Sequence, residues 1–213
     1  RIMFPMISGV GELREAKDVL EEAKAELVRE GTPFDPKLPV EPDDTAVQFY
    51  TSGTTGLPKG AELTNANFGW MLPLWTQTWL LGPGVPNLVC LPMFHIGGAG
   101  WGSAGLFSGA TNHVVREFVP AQILQLIERE RLQVLLFVPA MILFLVQAPQ
   151  IRETDLSSVQ LIVYGAAPIP ADLLKQAMAI FKCGFQQVYG LTETTGAITL
   201  LRVFVGWHFL YEG

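Results

Sequence analysis

The sequence predicts an α/β protein of layered, largely parallel sheets flanked by helices. Short apolar runs alternate along the chain with longer segments of helical periodicity, the pattern of strand–helix–strand units. Two of those runs, LQVLLFV at 132–138 and VQLIV at 159–163, lack polar alternation and suit strands buried inside layers. Nothing repeats at a fixed period, and 213 residues are enough for one sizeable core.

The elements follow in chain order. Leu13, Ala16, Leu20, Ala23 and Leu27 recur at steps of three and four, which predicts an amphipathic helix over 12–30, ended by Gly31. The polar, proline-rich stretch 32–44 reads as a connector. Residues 46–50, AVQFY, predict a short strand leading into a loop of glycines and hydroxyls. Asn65 or Asn67 is placed to cap a helix through Trp70 to Trp79. Further strands are predicted at 87–91, 111–115, 133–138, 159–163 and 185–188. Helices are predicted over the small-residue stretch 97–109, over 120–131 with Pro120 in the favoured first turn, from Pro139 onward, and over 170–182.

Composition narrows the class. The chain is 49% hydrophobic with a mean hydropathy of +0.32. Residues 63–115 contain no Asp, Glu, Lys or Arg, and 132–151 is also uncharged and long enough to raise a membrane-spanning helix. Pro139 and Pro149 interrupt that second run, so a buried strand followed by a helix fits it better. A net charge of −6 and a pI of about 5.1 do not indicate a nucleic-acid surface. Cys90 and Cys183 make no disulfide framework or metal-ligand spacing and read as thiols of a reducing compartment. Residues 1–10 lack the three-part organisation of a signal peptide.

The chemistry concentrates in four strings. YTSGTTGLPKG, at 50–60, follows the first predicted strand. Its glycines open backbone conformations closed to other residues, and its hydroxyls and N–H groups can converge on one anion. Lys59 adds a positive charge. The spacing does not fit a Walker A loop. By composition alone such a stretch is more often a flexible surface connection. YGLTETTG, at 189–196, offers an aromatic face for a base, a hydroxyl for a phosphate oxygen and a hard carboxylate suited to Mg2+. YGAAP, at 164–168, ends a strand in small residues that let a flat ligand approach the backbone. LPMFHI, at 91–96, holds His95 in an apolar setting, where a lone histidine is usually a satisfied core residue.

Together these strings resemble the AMP-forming acyl-CoA synthetase and adenylation superfamily, closest to its fatty-acyl-CoA ligases. The resemblance covers about residues 43–201. It implies that Thr51, Ser52, Gly53, Thr54, Thr55, Gly56 and Lys59 grip the ATP phosphates. It implies that Tyr189 lies against adenine, that Thr192 reaches the α-phosphate and that Glu193 holds Mg2+. Gly165, Ala166 and Ala167 would line the adenine and acyl sites, with Gln187 and Gly190 at the nucleotide. Val188 departs from the glycine that many members carry. LPMFHI matches the acyl-site segment, with His95 near the carboxylate end of the substrate. Amino-acid-activating relatives usually have an aspartate in that slot, so a plain carboxylic acid is expected. The string from Phe137 through MILFLV resembles fatty-acyl-CoA ligases.

The implied reaction has two steps. A carboxylate, expected to be a medium- or long-chain fatty acid, attacks the α-phosphorus of ATP to give acyl-adenylate and pyrophosphate. Coenzyme A then displaces AMP. Lys59, Thr192 and Glu193 are the expected catalytic groups. An aryl-acid CoA ligase and a non-catalytic nucleotide-binding module remain open alternatives. Residues 1–201 are expected to be part of the family's large N-terminal domain and 202–213 an off-pattern tail. The family's C-terminal lysine domain is not in this sequence, so weak or no activity is expected of the chain alone. The expected location is cytoplasmic, with peripheral membrane association possible for an enzyme of lipids.

Overall fold

The computed structural model describes residues 18, 21, 39–52 and 58–202. Of the helix expected over 12–30, only Asp18 and Glu21 fall among them, and both are helical and exposed. The rest of that helix, Gly53 to Gly56 of the phosphate loop and residues 203–213 lie outside the described residues. The chain divides into two compact units, Arg1–Ala66 and Asn67–Gly213.

The first unit holds an antiparallel pair, β1 (Thr45–Thr51) and β2 (Lys59–Thr64). Thr51 stands opposite Lys59 and Tyr50 opposite Gly60. The expected strand at 46–50 is therefore β1, while β2 corrects a loop reading. Its string KGAELT is too charged and glycine-rich to signal a strand, and only Leu63 in it is buried. The helix α1 (Asn65–Thr78) opens at Asn65. The Asn65 side chain donates to the carbonyls of Glu41, at 3.1 Å, and Asp44, at 3.3 Å, tying the connector to the helix start.

The second unit is built on a six-stranded sheet. Its strands are β3 (Pro86–Val89), β4 (Thr111–Val114), β5 (Val134–Phe137), β6 (Leu161–Gly165), β7 (Gly184–Leu191) and β8 (Gly196–Arg202). They lie in the order β4-β3-β5-β6-β7-β8. Every pairing from β4 to β7 is parallel, and β8 returns antiparallel to β7. The largely parallel expectation holds for this sheet, but not for its last strand or for β1–β2. The helices are α2 (Ile96–Ser108), α3 (Pro120–Arg129), α4 (Pro139–Gln147) and α5 (Ala171–Phe181). Both α3 and α4 open on proline, whose missing N–H would have had no intrahelical partner.

The central strands are apolar throughout because helices cover both faces. In β5, Leu135 and Phe137 pack with α3, α4 and α5, while Val134 and Leu136 pack on the opposite side with Trp75, Trp79, Trp101 and Ala104. In β6, Ile162 and Tyr164 face the first group, and Leu161 and Val163 the second. The two-residue period of a strand thus divides its side chains between two cores. Among the described residues no helix is long and apolar enough to cross a membrane. The uncharged run 132–151 is β5 and α4, as its prolines predicted, followed by a short 3-10 turn over Pro149–Arg152.

Candidate active site

The strand order turns back at β3, which has β4 on one side and β5 on the other. In open parallel sheets such a reversal leaves a crevice outside the carboxyl ends of the strands. A cavity of about 360 Å³ lies there in the second unit. Leu91 and Pro92 beyond β3, Phe137 and Val138 at the end of β5, Gly165 and Ala166 at the end of β6, and Gly190 of β7 all border it. So do His95 and the indoles of Trp75, Trp79 and Trp101. Among the described residues no Asp, Glu, Lys or Arg lines it. An apolar enclosure with few polar groups suits an apolar molecule held by one polar end.

His95 sits at the N-cap of α2 in extended conformation, and its Nδ1 accepts the Gly97 N–H at 2.9 Å. That bond relieves one of the helix's unpaired N–H groups. In a neutral imidazole it also fixes the proton on Nε2, which becomes a donor. His95 is exposed. It therefore has a structural role as a cap at the cavity's border.

YGAAP forms a tight turn at the end of β6. Ala166 takes φ +68, a left-handed conformation that is strained for a residue bearing a Cβ by on the order of 1 kcal/mol. Gly165 is buried, and Ala166 and Ala167 are exposed. The YGLTETTG string is the end of β7, a 3-10 turn over Thr192–Thr194, and the start of β8. Gly190 allows β8 to come close, because a Cβ there would lie 2.8 Å from the Cα of Ala197 and nearer still to the Gly196 carbonyl. Thr194 holds the turn: its hydroxyl accepts the Leu191 N–H at 3.0 Å and lies 2.9 Å from the Gly196 carbonyl oxygen.

Tyr189 and Glu193 are exposed, and Gln187 and Thr192 half-buried. The tyrosine ring is thus open to stacking. Among the described residues no three His, Cys, Asp or Glu side chains group into a metal cage. The expected magnesium ligand, Glu193, is a hard carboxylate of the type that ion takes beside waters and substrate phosphates.

In the first unit Lys59 is exposed at the start of β2, and the Thr51 hydroxyl lies 3.5 Å from the Lys59 carbonyl oxygen. Ser52 is exposed. The structure brings His95, Gly165, Ala166 and Gly190 to one cavity. Of the aromatic residues in the charge-free stretch, Trp75, Trp79, Trp101 and the exposed Phe94 border that cavity, whereas Trp70 and Phe107 are exposed away from its lining. Sequence reasoning missed Thr194 as the clasp of the turn and Gly196 and Ala197 as cavity residues. The apolar stretch AITLL after Gly196, with β-branched Ile198 and Thr199, was the available signal for β8.

Residues 6–208 match the family model for the AMP-binding enzyme. The chain belongs to this family. An AMP-binding family member, a fatty acid–[acyl-carrier-protein] ligase from Streptomyces coeruleorubidus, is 36% identical over 73% of this chain and 31% of its own length. A feruloyl-CoA synthase from an Amycolatopsis species is 35% identical over 78% of this chain and 34% of its own. Among solved structures, the inhibitor-bound N-terminal domain of FACL13 from Mycobacterium tuberculosis is 31% identical with a TM-score of 0.76. That match covers 87% of this chain and 46% of that one. The chain spans about a third of the length of these curated relatives. The AMP-binding relatives act on alkyl and aryl acids by their names, so family membership does not fix the acid.

Proposed function

We propose that this chain supplies the nucleotide and acid sites of an adenylate-forming ligase that activates a carboxylic acid with an apolar tail, as acyl-AMP and then as a thioester. The observation that carries this reading is the cavity at the strand ends, uncharged among the described residues and bordered by His95, Gly165, Ala166 and Gly190, with Tyr189 in β7 and Thr192 and Glu193 in the turn that follows it. The acid would be a fatty acid or a ring-bearing acid, and coenzyme A the acceptor.

Joining a carboxylate to ATP brings two anions together, so neutralising charge is the main catalytic task. Lys59 and the groups from Thr51 to Gly56 hold the outer phosphates in this scheme. Thr192 donates to the α-phosphate, and Glu193 holds Mg2+, which when bound neutralises phosphate charge. Tyr189 stacks on adenine, beside Gly165, Ala166, Ala167, Gln187 and Gly190. The Nε2–H of His95 orients the carboxylate. In this scheme an apolar tail enters the cavity and its charged end stays at the border.

The test is ATP–pyrophosphate exchange that depends on added acid, compared among the protein, Lys59→Ala and Glu193→Ala. Exchange that requires acid and is lost in both variants is expected. ATP binding with no exchange under any acid would instead favour a non-catalytic nucleotide-binding module. Exchange reports the first step alone and so does not depend on the acceptor thiol.

A further inference from the structure

Three indoles stand side by side along the cavity. Trp75 and Trp79 have ring centroids 4.8 Å apart, and Trp79 and Trp101 5.0 Å. All three are almost wholly buried, in contrast to the exposed His95 and Phe94 that also border the cavity. The indoles thus lie on the enclosed side of the cavity, together with the buried Ile96 and with Leu136 and Phe137 of β5. The wall is fixed in place. The Trp101 indole N–H donates to the Leu88 carbonyl at 2.9 Å. The Trp75 ring fills the space beside Gly100 and Gly196, where a Cβ would lie 2.8 Å and 2.6 Å from its ring atoms.

The indole N–H groups of Trp75 and Trp79 are buried and have no hydrogen-bond partner among the described residues. Buried tryptophans usually find an acceptor, because an orphaned donor destabilises the fold. Phenylalanine or leucine would fill a plain core here without that penalty. The large flat rings are better explained by the cavity they close. Its volume of about 360 Å³ lies near the small end of ligand pockets, which run from roughly 300 to 1,000 Å³.

From these observations we infer that Trp75, Trp79 and Trp101 set the acid specificity by closing the pocket behind a compact tail, a ring or a short chain, and reject long alkyl chains. This rests on the acid-pocket reading above and narrows it: the long-chain fatty acid is excluded. The physical signature is sharp. Each methylene that enters an apolar pocket freely strengthens binding about four-fold. A closed wall ends that gain at the length where the tail meets it.

The experiment measures dissociation constants of the straight-chain acids from butanoate to tetradecanoate, with 3-phenylpropanoate alongside, by tryptophan fluorescence on the native chain. The same series is then run on Trp79→Ala and, separately, Trp75→Ala. Affinity is expected to rise with length and to break before dodecanoate, with 3-phenylpropanoate binding at least as tightly as the best straight chain. In at least one variant the break moves to longer acids. Affinity that still climbs through tetradecanoate in the native chain overturns the inference, and needs no variant to do so. A break that stays put in both folded variants also overturns it. If no acid in the series binds, the acid-pocket reading fails and the wall's role falls with it.

Discussion

Gly98 tests how the cavity border is held. It lies in the first turn of α2, where a Cβ would stand 2.5 Å from the Leu91 carbonyl oxygen and closer to that of Pro92. Ordinary contact begins near 3.4 Å, so relief requires a shift of about 1 Å. Neither side yields easily. The Pro92 carbonyl already accepts the His95 N–H at 3.1 Å, and the His95 carbonyl accepts the N–H groups of Gly98 and Ala99, both at 3.0 Å. Two effects oppose each other in Gly98→Ala. Helix propensity favours alanine by at most about 1 kcal/mol. Overpacking against fixed backbone costs about 1–3 kcal/mol. Overpacking should win, leaving a net loss of about 1–2 kcal/mol. The control is Gly69→Ala, in the middle of α1, where a new Cβ meets nothing within 4 Å. There only propensity acts, and stability should rise by roughly 0.5–1 kcal/mol. Urea unfolding reads both, with Gly98→Ala moving the midpoint down by about 0.5–1 M for a slope near 2 kcal/mol per M. Because the Pro92–His95 turn borders the cavity, Gly98→Ala should also weaken acid binding. A Gly98→Ala chain as stable as the native one would refute the reasoning, since the close approach would then carry no cost.

Three further outcomes are expected. His95→Ala should lower stability by about 1 kcal/mol through loss of the helix cap, whereas His95→Asn, a good cap, should restore stability but not acid affinity; recovery of both would leave the imidazole no chemical role. Asp155 accepts from Arg131 at 2.6 Å and from the Ser157 N–H at 2.9 Å, and the bonds from Ser157, then that from Arg131, lower its pKa to about 2. Its contribution is therefore full above the ordinary aspartate value of 3.8 and is lost as pH falls from there toward 2; Asp155→Asn should flatten the acid limb of the stability curve over that window, and an unchanged limb would contradict it. Burial pushes the Cys90 and Cys183 thiols up to about 12, so neither forms thiolate at pH 8; fast native-state alkylation of either by iodoacetamide would show the burial to be wrong.

The sequence by itself determined the layer pattern and most of the cavity's chemistry. Runs such as VQLIV are apolar at every position because helices cover both faces, and that requirement acts residue by residue. Proline at 120 and 139 marks helix starts for a local reason, the fixed φ and absent N–H. Glycine and hydroxyl content marked the strand-end turns for the same kind of reason. The tertiary structure alone decided what depends on distant partners. The strand KGAELT forms because β1 stands beside it, and β8 because Gly190 lets it approach. His95 became a helix cap once the chain after Pro92 turned into α2. The three indoles became a wall only when α1 and α2 met over the sheet, since Trp75 and Trp101 are separated by 25 intervening residues and nothing local relates them. Local periodicity records what each segment must bury, whereas which side chains meet around an enclosed space is set by strand order and helix packing, and these are properties of the whole chain.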